Sequence, residues 1–278
     1  MVLVSSCVNT SNNDPKEQKK SNDSRLISKG KYYLEDMRYK DAIEYFSNCI
    51  KQNQEKFKAL NYRAVTYIRM GEFYSAENDL KEANKIDSMS AFLLTNFGRL
   101  YDAERMPEIG ESYFKRAIAR DPKYAEAYSY LGIHAFYKRN SDLAKAYFDK
   151  AIYIDQNDSW LYLNRGEMYA YMNKYVDALQ DMDIAVRLAN TRFRKAAAFY
   201  ERGMILKDAK RNNDAIADFT SFIDLGLENY NSYYERGLLY CLMHEYKLAL
   251  KDFYKAKELG KGDNIDKVID ECEYIIKN

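Results

Sequence analysis

The chain has 278 residues, 47% hydrophobic and 31% charged, with 43 Lys and Arg against 42 Asp and Glu. That apolar content excludes a wholly disordered chain, and a net charge of +1 excludes a general attraction to nucleic acid or anionic membrane. Only 3 Pro and 11 Gly interrupt it, which favours helices joined by short turns over many short strands.

The N-terminus differs in kind from the rest. Residues 11–24 read SNNDPKEQKKSNDS and cannot bury a core, so a flexible polar tail over 1–22 is expected. Before it stands Met1-Val2-Leu3-Val4-Ser5-Ser6-Cys7. A short apolar stretch, two serines, a cysteine and a polar tether resemble the cleavage region of bacterial lipoproteins, although a basic start and most of the apolar core are missing. The resemblance implies lipidation at Cys7 and a lipid-anchored place in a bacterial cell envelope. The alternative is a cytoplasmic protein in which Cys7 is incidental.

From residue 23 the chain repeats itself. Gly30, Ala64, Gly98, Gly132, Gly166, Gly203 and Gly237 are separated by 34, 34, 34, 34, 37 and 34 residues. Twelve places after each marker comes Ala42, Ala76, Gly110, Ala144, Ala178, Ala215 or Ala249. Sixteen after comes Phe46, Leu80, Phe114, Phe148, Met182, Phe219 or Phe253. Each unit reads as two amphipathic helices, with small residues allowing close approach and the large residue filling the remaining space. One pair cannot bury its apolar face alone, so the pairs must stack. Seven units are expected, over 23–56, 57–90, 91–124, 125–158, 159–195, 196–229 and 230–261.

This register resembles the tetratricopeptide repeat family. Residues 121–132, DPKYAEAYSYLG, look like its consensus across a repeat junction, and Arg165-Gly166, Arg202-Gly203 and Arg236-Gly237 sit in register with it. The resemblance implies an all-α right-handed superhelical solenoid of antiparallel helix pairs whose first helices line a groove for a partner peptide or helix. The family's groove positions fall here on Asn61, Arg69, Phe92, Arg99, Phe136, Tyr137, Trp160, Glu167, Tyr171, Tyr200 and Tyr234, among others. Rigid aromatic side chains give large contact area at low entropy cost. The paired Lys, Asn and Arg of the chaperone-binding carboxylate clamp are not at the corresponding places.

The three-residue excess at 189–195 predicts a longer loop between the fifth and sixth units. Within it, Arg192-Phe193-Arg194-Lys195 has an aromatic among cations, but no neighbouring basic repeat extends it into a nucleic-acid site. After residue 264, Ile265, Val268, Ile269, Cys272, Ile275 and Ile276 share one helical stripe, which predicts a C-terminal capping helix over 262–278.

Little points to catalysis. His134 and His244 are about three repeats apart, and no HExxH, Gly-rich phosphate loop or GxSxG elbow occurs. No CxxC pair exists, and Cys49, Cys241 and Cys272 read as small hydrophobes within helices. The expectation is a protein-binding scaffold with no catalytic residue, metal or cofactor, serving envelope assembly or trafficking. Its alternatives are a cytoplasmic adaptor and, more remotely, a subunit of an enzyme complex.

Overall fold

The computed structural model describes residues 27–260, 262 and 265–278; Cys7 and the expected tail lie outside them. Among the described residues there are fifteen helices and no strand. They form two compact units. Residues 27–34 and 38–88 make the first, and 35–37 with the described residues from 89 onward make the second.

The first unit holds α1 (27–35, its last residue grouped with the second unit), α2 (Tyr39–Lys51), α3 (Lys56–Met70) and α4 (Phe73–Ile86). Its core joins Ile27, Leu34, Ala42, Phe46, Cys49, Ala59 and Val65. The second unit continues the alternation with α5 (Ala91–Ala103), α6 (Pro107–Arg120), α7 (Ala125–Tyr137), α8 (Ser141–Ile154), α9 (Ser159–Tyr171) and α10 (Tyr175–Leu188). It ends with α11 (Arg192–Asp208), α12 (Asn212–Asp224), α13 (Tyr230–Leu242), α14 (Tyr246–Glu258) and α15 (Ile265–Lys277).

The repeat columns are the packing columns. The alanines twelve places after the markers are 0% exposed, and the large residues sixteen places after them are fully or almost fully buried. A Cβ placed on Gly237 would lie 2.7 Å from the Phe253 ring, inside the closest real approach. Where the marker is Ala64, the opposing residue is the smaller Leu80, so the two columns exchange volume.

Each pair turns in the same way. Seven residues after the marker the backbone is left-handed at Met37, Gly71, Arg105, Arg139, Asn173, Lys210 and His244. The next N–H reaches back to the carbonyl three places after the marker, as in Glu72 to Tyr67 at 2.9 Å and Arg211 to Leu206 at 2.8 Å. This closes the first helix by a Schellman-type cap. Gly71 alone among the seven avoids the Cβ penalty of that conformation.

Two sequence readings need correction. The extra residues near Thr191 lengthen a helix and not a loop: α11 has 17 residues against 13 in α9, and only 189–191 connect it to α10. Thr191 is its N-cap, with Oγ1 accepting from the Arg194 N–H at 3.2 Å. No Gly or Pro follows to stop the helix from starting there. At the other end, α15 buries Ile265, Ile269 and Cys272 against Ala249, Phe253 and Ala256, whereas Ile275 and Ile276 are exposed. No helix among the described residues is long and apolar enough to cross a membrane.

Candidate functional site

The first helices of the repeats carry the candidate partner-binding face. In the first unit that face is α3. Asn61 is fully buried and its Nδ2 donates to the Phe57 carbonyl at 2.8 Å, while Arg69 is exposed in the last turn of the helix.

In the second unit the face begins on α5 with Phe92 and Arg99, both half-buried. Arg99 donates to Glu126 Oε1 of α7 at 3.0 Å and lies 5.7 Å from the Tyr130 ring. Asp102, one turn further along α5, turns to His134, whose Nε2 is 2.8 Å from its Oδ2. His134 is buried, meets the Phe114 ring edge-on, and has Glu111 on its other side at 4.0 Å. Gly110 makes this possible, because a Cβ there would strike the Asp102 carboxylate.

The aromatic centre of the face lies on α7 and α9. Phe136 meets Tyr171 edge-on at 5.0 Å and Tyr137 at 6.0 Å. Tyr137 is 79% exposed and Tyr171 65%, so two phenol rings stand open beside a half-buried phenylalanine. Trp160 is half-buried, 6.2 Å from Phe193 and under the Arg194 guanidinium at 5.8 Å. Arg192-Phe193-Arg194 is therefore the first turn of α11, with Phe193 packed on a ring and Arg194 tied to Asp158 at 2.5 Å. Tyr200 and Tyr234 lean inward, onto Phe219 and Phe222 and onto Phe253 respectively. Burial pushes the Tyr200 phenol up to about 12.

The acids of this face are unevenly matched. Lys207 on α11 donates to Glu235 on α13 at 2.7 Å. Lys207 stands four places after its marker, and Glu235 two places before the next one. One repeat earlier the same two places hold Ala170 and Glu201, so the acid is kept and its cation is missing. Glu167 adds a second carboxylate from α9. Among the described residues neither acid has an ion-pair partner. Desolvation by the surrounding helices, and then repulsion from Glu201, push the Glu167 carboxyl up to about 7; desolvation also raises Glu201. Glu201 escaped the sequence reading, yet comparing the Lys207–Glu235 columns between repeats would have marked it.

A second set of side chains fastens the helix pairs and was also missed. Arg165, Arg202 and Arg236 stand one place before their markers, and each grips an Asp fifteen places after the marker with two hydrogen bonds. The pairs are Asp181 at 2.8 and 2.7 Å, Asp218 at 2.7 and 2.6 Å, and Asp252 at 2.7 and 2.8 Å. In the first unit Arg63 does the same with Asp79. Each arginine also reaches the preceding second helix, as Arg165 does to Asp149 at 2.7 Å. These forked pairs are structural and leave the first-helix face to other residues.

This fold of stacked helix pairs defines the class: the chain is a tetratricopeptide repeat protein. Tetratricopeptide repeat family models match residues 95–159 and 147–180. A human relative, tetratricopeptide repeat protein 6, is 29% identical over 128 residues, covering 46% of this chain and 24% of the relative. The chain thus spans about a quarter of that relative's length, and about half of two others that it matches. Among solved structures, the Cut9–Hcn1 hetero-tetramer of APC/C superposes with a TM-score of 0.71 at 15% identity, over 91% of this chain and 48% of that one. YrrB, described as a tetratricopeptide protein with an unusual peptide-binding site, gives a TM-score of 0.51 at 20% identity over 72% of this chain and 98% of that one. Proteins of this class are generally protein-interaction scaffolds and generally non-catalytic.

Proposed function

We propose that the first-helix face of α7, α9 and α11 binds an extended or helical segment of a partner protein, with a Lys or Arg of that segment set against Glu167 and Glu201. The observation that carries this reading is the missing cation. Glu235 has Lys207, whereas Glu201 faces the place of Ala170 and shares its surroundings with Glu167. A partner cation would restore the ion pair that the next repeat makes internally, and the open rings of Tyr137 and Tyr171 would cover its aliphatic stem. The peptide-binding site described for YrrB supports a peptide as the kind of ligand.

The test is a peptide array probed with the full chain. Binding should concentrate on peptides containing Lys or Arg, weaken about tenfold or more in Glu167→Gln/Glu201→Gln, and vanish in Tyr137→Ala/Trp160→Ala/Tyr171→Ala. A folded triple-alanine variant that keeps every partner sinks the face itself. We also keep the lipid anchor as a proposal resting on Cys7 and the residues before it. Metabolic labelling with a fatty acid that is retained by Cys7→Ser would end it.

A further inference from the structure

The C-terminal cap brings two thiols together. Cys241, near the end of α13, and Cys272, in α15, have their Sγ atoms 3.2 Å apart. Cys272 is 3% exposed among Ile265, Ile269, Phe253 and Ala256, while Cys241 packs half-buried at the edge of the same cluster. The repeat itself does not require sulfur at this place. The residue four after the marker is Leu34, Ile68, Asp102, Phe136, Ala170 or Lys207 in the other six units. The apolar hold of the cap is also thin, because the stripe is buried only as far as Cys272 and opens to solvent at Ile275 and Ile276.

We propose that Cys241 and Cys272 are a reversible disulfide-forming site that fastens the capping helix α15 to the first helix of the last repeat. The two sulfurs need approach by only about 1 Å to reach bonding distance. The oxidant is a small-molecule disulfide such as oxidised glutathione. The Cys241 thiolate attacks one of its sulfurs and expels a glutathione thiolate, giving a mixed disulfide. The Cys272 thiolate then attacks the Cys241 sulfur and expels the second glutathione. Two protein thiols have lost two electrons and two protons, and one disulfide has become two thiols. Cys241 is the entry point because it is the more exposed of the pair. Burial, with Cys272 alongside, pushes its thiol up to about 12, so the first step proceeds when the cap opens and exchange is slow.

The experiment uses the full chain, first reduced and then held in oxidised glutathione, quenched with an alkylating agent and digested without reductant. A peptide linking Cys241 to Cys272 is expected, with both thiols closed to alkylation and reopened by dithiothreitol. Amide exchange in α15 should slow by about tenfold or more on oxidation, and Cys241→Ser should abolish that change. Three results overturn the proposal: both thiols still alkylate, Cys241 stops at a glutathione adduct, or the bond forms between two copies. Mapping the unmutated chain keeps the outcome decisive even if a cysteine variant folds poorly.

Discussion

Repeats three and four answer the same packing problem as repeats five to seven with different chemistry. In the later repeats the places before the marker and fifteen after it hold Arg165–Asp181, Arg202–Asp218 and Arg236–Asp252. In repeat three the equivalent places hold Phe97 and Tyr113, stacked at 5.3 Å, and in repeat four Leu131 and Tyr147. Tyr113 also stacks on Tyr101, and Phe114 on Tyr130 at 4.8 Å. The shared demand is that the two helices be closed against each other, and either rings or a forked ion pair meets it. The two solutions fail differently. A ring removed leaves space, whereas half an ion pair removed leaves a desolvated charge. The aromatic region also contains its own polar exception, the Asp102–His134 contact admitted by Gly110.

The largest expected effect is common to both regions and tests whether the core column is equivalent in them. Phe114→Ala and Phe219→Ala should each cost about 4 kcal/mol, read by denaturant unfolding or amide exchange in the affected repeat. A difference of more than about 2 kcal/mol between them would show that the surrounding chemistry governs the core. Next, Asp218→Ala should cost about 3 kcal/mol, because Arg202 loses both bonds of its fork while its other partner, Asp183, is exposed. Arg202→Met/Asp218→Leu should recover most of that loss, which would make repeat six resemble repeat three. Gly110→Ala, smaller at about 1–3 kcal/mol, should displace Asp102 and free the His134 imidazole, a change visible in its NMR shifts. The smallest effect concerns Glu167. Its carboxyl titrates near 7 in the folded chain against 4.5 ordinarily, so between those values the folded state holds a proton that the unfolded chain has lost. Stability therefore falls as pH rises from 4.5 to 7. Glu167→Gln should match the parent below pH 4.5 and exceed it above pH 7, by about 1 kcal/mol after allowance for solvent around the open carboxylate.

Much of this was legible in the residues. The marker, alanine and large-residue columns identify the helix pairs because close packing admits only certain volumes at those places. Gly237 against Phe253 and Ala64 against Leu80 state that rule in two forms. The aromatic centre at Phe136, Tyr137 and Tyr171 could also be placed on one face by register. The lengthening of α11 was not read because an insertion at a repeat junction looks like a connection. Thr191 as N-cap and the lack of a following Gly or Pro were the available signals. The Arg–Asp forks were missed because their members sit sixteen residues apart on two helices, a distance to which local periodicity is blind.

The sequence by itself determined the number of repeats, the closely packed columns and the first-helix register, since each follows from volume and helical spacing repeated seven times. Only the tertiary structure decided which polar groups are satisfied. Asp102 turns inward to His134, Asn61 bonds its own helix, and Glu201 stands without the cation that Glu235 enjoys. Ion pairing depends on what a neighbouring helix presents within about 4 Å, and that neighbour is set by stacking and not by order along the chain. Cys241 and Cys272 make the same point, being 31 residues apart in sequence and in contact through the cap.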